Sequence, residues 1–138
     1  MTSHLYLVDT SVWIPFFRPK TAKPLRDRID ELLRARSAAV NGMIRLELLA
    51  GARGDKEFQD LQATLGLIIN LSWPEELWDK AASLGFRLRR QGLTFSTPDL
   101  VVATSALEHH AVLVHADADF DRIAAHSDLK VEGYPALP

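Results

Sequence analysis

Cysteine is absent from the 138 residues of this chain. That excludes a disulfide framework, a cysteine-ligated zinc centre and a thiol nucleophile. Also missing is any apolar stretch near the roughly 20 residues that span a bilayer, so no membrane association is expected. Met1 to Tyr6 carries no basic stretch leading into a long apolar run. No signal peptide is therefore expected, and the location is read as cytoplasmic. Asn70-Leu71-Ser72 matches a glycosylation sequon, which carries no weight without export. Neither charge sign dominates: 16 Lys+Arg stand against 18 Asp+Glu, a formal net charge of -2. This excludes a globally basic nucleic-acid coat but says nothing of local charge. Repeats, linkers and low-complexity segments are lacking too, as are the P-loop pattern, the dinucleotide glycine fingerprint and a His-Glu-x-x-His pair. Adjacent His109 and His110 point to different sides of a helix and make poor co-ligands.

What remains is an ordinary globular composition, 47% apolar and 25% charged. The length predicts a single domain over 1–138. A chain of this size buries about two-thirds of its unfolded surface and needs no staples. Leu5-Tyr6-Leu7-Val8 predicts a buried strand, ended by Asp9-Thr10-Ser11 at the start of a helix. Leu25, Ile29, Leu32 and Leu33 recur at helical spacing, Pro24 suits the first turn, and Asp30 and Arg34 form an i,i+4 pair. Ala38-Ala39-Val40 reads as a second strand, and Met43–Ala52 as a helix apolar nearly all round, closed by Gly51 and Gly54. Asp55 opens a helix with Phe58, Leu61 and Leu65 on one face. Leu67-Ile68-Ile69 reads as a third strand. Pro74 begins a helix striped by Leu77, Trp78, Ala81, Leu84, Gly85 and Leu88, with Gly92 after it. Thr97-Pro98-Asp99 is a helix start with Thr97 as cap, running to about His110. Ala111–Val114 is a fourth strand, Phe120–Ala125 a short helix, Lys130-Val131 a last strand, and the final five residues a loose tail. Strands alternating with helices, several as continuous apolar runs, specify an α/β fold with a parallel sheet covered on both faces.

Ligands of open α/β sheets bind at the carboxyl ends of the strands. The reactive groups expected there are Asp9, Asp99, Asp117 and Asp119. Each is also a good helix N-terminal acid, worth about 0.3–1 kcal/mol against the helix dipole. Several carboxylates in one crevice repel one another unless a cation is present, and hard oxygen ligands point to magnesium or manganese. Glu47 sits among Ile44, Leu46, Leu48, Leu49 and Ala50. A carboxylate there is partly buried or at the lip of a cleft. A distant salt bridge, a solvent-facing helix side, or completion of a metal cage each accounts for it. The apolar stretch Leu100–Leu107 buries its helix and fixes Asp99 at the amino end.

These residues resemble a known family. Leu5-Tyr6-Leu7-Val8-Asp9-Thr10-Ser11-Val12-Trp13-Ile14 is similar to the opening of PIN-domain proteins, especially VapC-type toxins of prokaryotic toxin–antitoxin pairs. Glu47-Leu48-Leu49-Ala50-Gly51 resembles their second motif. Arg89-Arg90-Gln91-Gly92, leading to Pro98-Asp99-Leu100-Val101-Val102-Ala103-Thr104-Ser105-Ala106, resembles the third. Leu113-Val114-His115-Ala116-Asp117-Ala118-Asp119-Phe120 resembles the fourth. The ordered set covers essentially the whole chain. It implies a three-layer α/β/α domain with a central five-stranded parallel sheet, and a divalent-metal endoribonuclease using Mg²⁺ or Mn²⁺. The acidic cage maps onto Asp9, Glu47, Asp99 and Asp117, with Asp119 as a further metal ligand. A homodimer and a cognate VapB-like antitoxin are implied as well. Where the family usually carries Thr or Ser, this chain has His115, read as a satisfied polar residue at a strand end, with phosphate contact as the alternative.

The resemblance implies attack on RNA by metal-activated water, leaving a 5′-phosphate and a 3′-hydroxyl, with no protein nucleophile. Thr10 and Ser11 are expected as hydrogen-bonding supports, and Thr97 as a cap near the crevice. Setting the four cage acids aside leaves 14 acids against 16 bases, a balance of +2. Arg87, Arg89 and Arg90 read first as helix C-terminal cations and second as RNA contacts; Arg34 and Arg36 read alike. Trp13 packs beside the site or stacks on a base, and Trp78 is expected in the core. Phe58 and Leu61 face a partner or pack internally. Phosphatases of the haloacid-dehalogenase type need a second Asp at position 11, which is Ser. Response-regulator receivers need an early acidic pair and a late Lys-Pro, which are absent. The remaining alternative is a catalytically inactive PIN-like module binding RNA or protein, against which all four acids stand.

Overall fold

Residues 4–136 are described in the computed structural model; the start at Met1–Ser3 and the end of the expected tail, Leu137 and Pro138, lie outside them. β1 (Tyr6–Val8) leads into α1 (Thr10–Phe16) and α2 (Lys23–Arg34). β2 (Ala38–Val40) leads into α3 (Gly42–Ala50) and α4 (Asp55–Leu65). β3 (Ile69–Asn70) leads into α5 (Glu76–Arg90) and α6 (Thr97–Glu108), and β4 (Val112–His115) into α7 (Ala118–Ala125) and β5 (Val131–Gly133). Every ladder is parallel and the strand order is β3-β2-β1-β4-β5. This is the expected α/β/α arrangement around five parallel strands.

The strands are short and apolar because both faces are covered. Leu7, Val8, Ala38, Ala39, Val40, Leu113 and Val114 are all buried, packed with Val12, Ile29, Ile44, Leu88, Val102, Phe120 and Ile123 from the helices. Burying a side chain of this kind contributes roughly 1.5–3 kcal/mol, so the core is the main source of stability. Local chemistry sets the helix ends. Pro lies in the first turn of α2 and of α6. After α5, Gly92 adopts φ +82°. Its N–H donates to the Arg89 carbonyl at 2.9 Å while Leu93 N–H reaches the Leu88 carbonyl at 3.0 Å. That pair of bonds is a Schellman closure, which a residue with a Cβ adopts only under strain.

Strand order reverses at β1, which has β2 on one side and β4 on the other. Crevices of open α/β sheets lie at such a point. The β1–β4 register pairs Val8 with Val114, and the Asp9 N–H donates to the Val114 carbonyl at 2.9 Å. Asp9 and the His115–Asp117 turn therefore leave the sheet side by side.

Several expectations shift. The third strand pairs at Ile69–Asn70, not Leu67–Ile69; Leu67 is 90% exposed, because pairing with Ala39 and Val40 begins only at Ile69. The last strand begins at Val131. Trp78 is 48% exposed rather than core. The buried seam of α5 is Leu77, Ala81, Leu84 and Leu88, and Trp78 falls one position off it, where its ring meets Trp73 edge-on at 5.0 Å. The helix α3 is not buried all round, since Leu46 faces outward. Asp30 and Arg34 form no ion pair among the described residues; on α2, Lys23 pairs with Asp27 and Arg28 with Glu31 and Glu132. Tyr134, in the expected tail, is held by its N–H on the His115 carbonyl at 2.8 Å and its hydroxyl on Glu132 at 2.8 Å. Among the described residues no helix is long and apolar enough to cross a membrane.

Candidate metal centre

Three loops at the carboxyl edge of the sheet each deliver an acid. Asp9 follows β1 with extended backbone and caps α1. Its Oδ2 accepts from the Ser11 N–H at 3.0 Å and from the Ser11 hydroxyl at 2.6 Å. It is only 7% exposed. Burial pushes its carboxyl up from the ordinary range, against the pull of the Ser11 bonds, and the charge of Asp117 adds to the rise. Asp117 follows β4, caps α7 and accepts from the Asp119 N–H at 2.9 Å. Asp99 and Asp119 stand in the first turns of α6 and α7.

Carboxylate oxygens of Asp99, Asp117 and Asp119 all lie within 4.8 Å of one another. Asp99 is consequently pushed up to about 6, first by desolvation, then by Asp117, with Asp9 and Asp119 contributing and the Ser96 bond opposing. Among the described residues one side-chain cation pairs with the group: Arg122 Nη1 lies 3.2 Å from Asp119 Oδ1, and its guanidinium covers the Phe95 ring at 5.0 Å. An all-oxygen donor set of three crowded carboxylates fits a hard divalent cation.

The other expected cage members, Asp9 and Glu47, do not belong to this trio. Asp9 is near enough to raise Asp99. Glu47 is exposed on α3 rather than partly buried, and its Oε1 accepts from the Thr10 hydroxyl at 2.9 Å. Thr10 thus links Glu47 to the turn that carries Asp9. Ser11 both donates to Asp9 and accepts from the Ala116 N–H at 3.0 Å. Thr97 is not the cap of α6. Ser96 is, its hydroxyl accepting from the Asp99 N–H at 3.3 Å, because Thr97 already has helical backbone. The Ser96-x-x-Asp99 spacing is a capping-box pattern and carried that signal.

His115 is a satisfied residue, 1% exposed, with contacts to Asp117 and Asp121. Nothing in the sequence pointed to Asp121 or Arg122. Trp13 is fully buried against Phe16 and Phe17 and offers no face to a base. Arg87 lines a cavity of about 710 Å³ with His4, His110, His126 and Lys130 at the opposite edge of the sheet.

Comparison with known proteins agrees with this geometry. The PIN domain family matches residues 6–126. Ribonuclease VapC11 of Mycobacterium tuberculosis is 32% identical over 134 residues, covering 94% of this chain and 99% of that protein. Ribonuclease VapC51 of the same organism is 32% identical over 121 residues, 87% of this chain and 85% of its own. Among solved structures, VapBC-1 from nontypeable Haemophilus influenzae aligns with a TM-score of 0.75 at 23% identity, over 94% of this chain and 97% of that one. VapBC2 from Rickettsia felis, bound to a DNA fragment from its promoter, gives 0.73 at 22%, over 94% and 98%. Those structural likenesses concern the fold, whereas the sequence match, spanning Asp9, Glu47, Asp99, Asp117 and Asp119, establishes that the chain belongs to the PIN domain family.

Proposed function

We propose that this protein is a divalent-metal-dependent endoribonuclease and the toxin of a toxin–antitoxin pair. The observation that carries the reading is the Asp99–Asp117–Asp119 trio at the point where strand order reverses. Its relatives named as VapC ribonucleases support the reaction class.

Asp99, Asp117 and Asp119 would hold the cation, with Asp9 and Glu47 completing the acidic set. When bound, Mg²⁺ or Mn²⁺ neutralises phosphate charge and acidifies water for attack on the phosphodiester. The chain's own part is to present oxygens in fixed places. Asp9 is held by Ser11, Glu47 by Thr10, and Asp117 by the first turn of α7. No side-chain nucleophile is needed: the Ser11 hydroxyl is committed to Asp9 and to the Ala116 N–H. The partners are RNA as substrate, a VapB-like antitoxin and a second copy of the chain. Structural neighbours described as VapBC complexes support the antitoxin. Light scattering of the chain alone and with its antitoxin tests both assemblies.

The deciding experiment incubates RNA with the purified protein and Mg²⁺ or Mn²⁺, then maps the new 5′ ends. Cleavage that EDTA stops, and that Asp99→Asn and Asp9→Asn lose while retaining helical circular dichroism, is the expected result. Cleavage that proceeds without metal rejects the mechanism, and tight RNA binding without cleavage under either metal rejects the enzyme.

A further inference from the structure

His115 stands at the end of β4, two residues before Asp117, and its surroundings are built around an imidazole. A backbone N–H can only donate, so the 3.1 Å contact from the Asp117 N–H makes Nδ1 an acceptor. The ring proton then sits on Nε2, 3.1 Å from Asp121 Oδ1 in the first turns of α7. The ring is clamped as well as bonded. Phe120 lies 5.5 Å away, tilted at 55°. β4–β5 register sets Gly133 opposite His115. A Cβ at 133 would come within 3.2 Å of both Cε1 and Nε2 of the imidazole and 3.4 Å of Asp121 Oδ1. The Tyr134 N–H holds the His115 carbonyl from the same side at 2.8 Å.

We propose that His115 is a positioning residue: clamped between Asp121, Phe120 and Gly133, it fixes the Asp117 backbone and so holds the Asp99–Asp117–Asp119 oxygens in place for a divalent cation. The proposal rests on the metal reading above. A hydroxyl at this position is too short to reach Asp117 N–H and Asp121 together. The imidazole spans both, tying the turn that carries Asp117 to the helix that Asp117 caps. Such partners behind a metal ligand typically change affinity by about 10–100-fold when removed.

The test is Mn²⁺ affinity of the whole chain, read from the electron paramagnetic resonance signal of free Mn²⁺, without reference to cleavage. Asn and Gln separate the two ring atoms: Asn places an acceptor near Nδ1, and Gln places a donor near Nε2. His115→Gln is expected to weaken Mn²⁺ binding by about 10-fold or more, and His115→Asn, which keeps an acceptor for the Asp117 N–H but loses the link to Asp121, to weaken it less. Gly133→Ala, which alters no carboxylate, is expected to weaken binding by crowding the ring. Asp121→Ala is expected to weaken it more than Asp121→Asn, since Asn keeps an acceptor for Nε2 while both remove the charge. Should His115→Gln fail to fold, the Gly133 and Asp121 variants decide. Unchanged affinity in His115→Gln and Gly133→Ala overturns the proposal, and so does equal loss in His115→Asn and His115→Gln. Failure of the unaltered chain to bind Mn²⁺ sinks the metal reading itself, a result distinguishable from all of these.

Discussion

The two edges of the sheet are built from the same strands and differ in charge. At the carboxyl edge, α1, α6 and α7 begin, and Asp9, Asp99, Asp117 and Asp119 sit in their caps and first turns. At the amino edge α5 ends in Arg87, Arg89 and Arg90, and the 710 Å³ cavity is lined by Arg87 and Lys130 together with Glu108, Asp128 and three histidines. Parallel strands and helix crossovers impose this, since helices start where strands end, and helix starts favour acids while helix ends favour bases. The difference teaches that size of a cavity and chemistry of a site are separate properties. The roomy edge mixes acids with bases, whereas the other edge gathers carboxylates alone, and Asp9 and Asp99 there are raised by burial and by their acidic neighbours.

Breaking that contrast at its strongest point gives the largest effect. Asp117→Asn removes one of the proposed ligands and should lower RNA cleavage by about 10²–10³-fold, the loss expected for one preorganised electrostatic contact. Arg87→Ala and Lys130→Ala at the far edge should leave the rate of cleavage unchanged; parity between the two edges in a gel assay would erase the distinction. Next comes metal-linked stability. At a Mn²⁺ concentration 100 times its Kd the folded state should gain about 2.7 kcal/mol, seen as a raised thermal midpoint. Asp99→Asn should forfeit most of that gain.

The pH response is smaller and has a definite sign. Asp99 is pushed up to about 6 and Asp9 is raised in the same direction, so without metal the folded state binds more protons than the unfolded chain. Their contribution to stability is present below the unfolded value near 3.8 and is lost as pH rises through about 6. Denaturant unfolding at stepped pH in EDTA should show that fall, flattened by Asp99→Asn. Glu132, held low by Arg28, acts oppositely at the acidic end. Metal affinity should run the other way and rise with pH through the same window, because the ligands must be deprotonated. The smallest effect is Ser96→Ala, about 0.5–1 kcal/mol of stability through loss of the α6 cap; no change in the denaturation midpoint would remove Ser96 from the account.

Most of the architecture was legible because local and global signals agree. Leu7-Val8 before Asp9 and Val114 before Asp117 show both a buried strand and the acid that ends it. Where a residue's fate depended on a neighbour distant in sequence, reading along the chain failed. Ile69 is a strand residue only because Ala39 lies beside it. Trp78 is apolar enough for the core, yet one helical position decides that Leu77 is buried instead. Of the site, the acids were visible as residue types at helix starts. The convergence of Asp99, Asp117 and Asp119 within one span is a property of the fold. So is the looser attachment of Glu47, which a hydroxyl on another helix steadies. Asp121 looked like any exposed helical acid until Gly133 and His115 defined what stands beside it.

Ser11 Oγ donates to Asp9 in its own turn and accepts from Ala116, 105 residues further along the chain. This hydroxyl works as a rivet through the seam between the first and fourth strands. With the Asp9 N–H on the Val114 carbonyl it doubles the fastening there, so the turn bearing Asp117 is moored to Asp9 by a side chain as well as by the backbone.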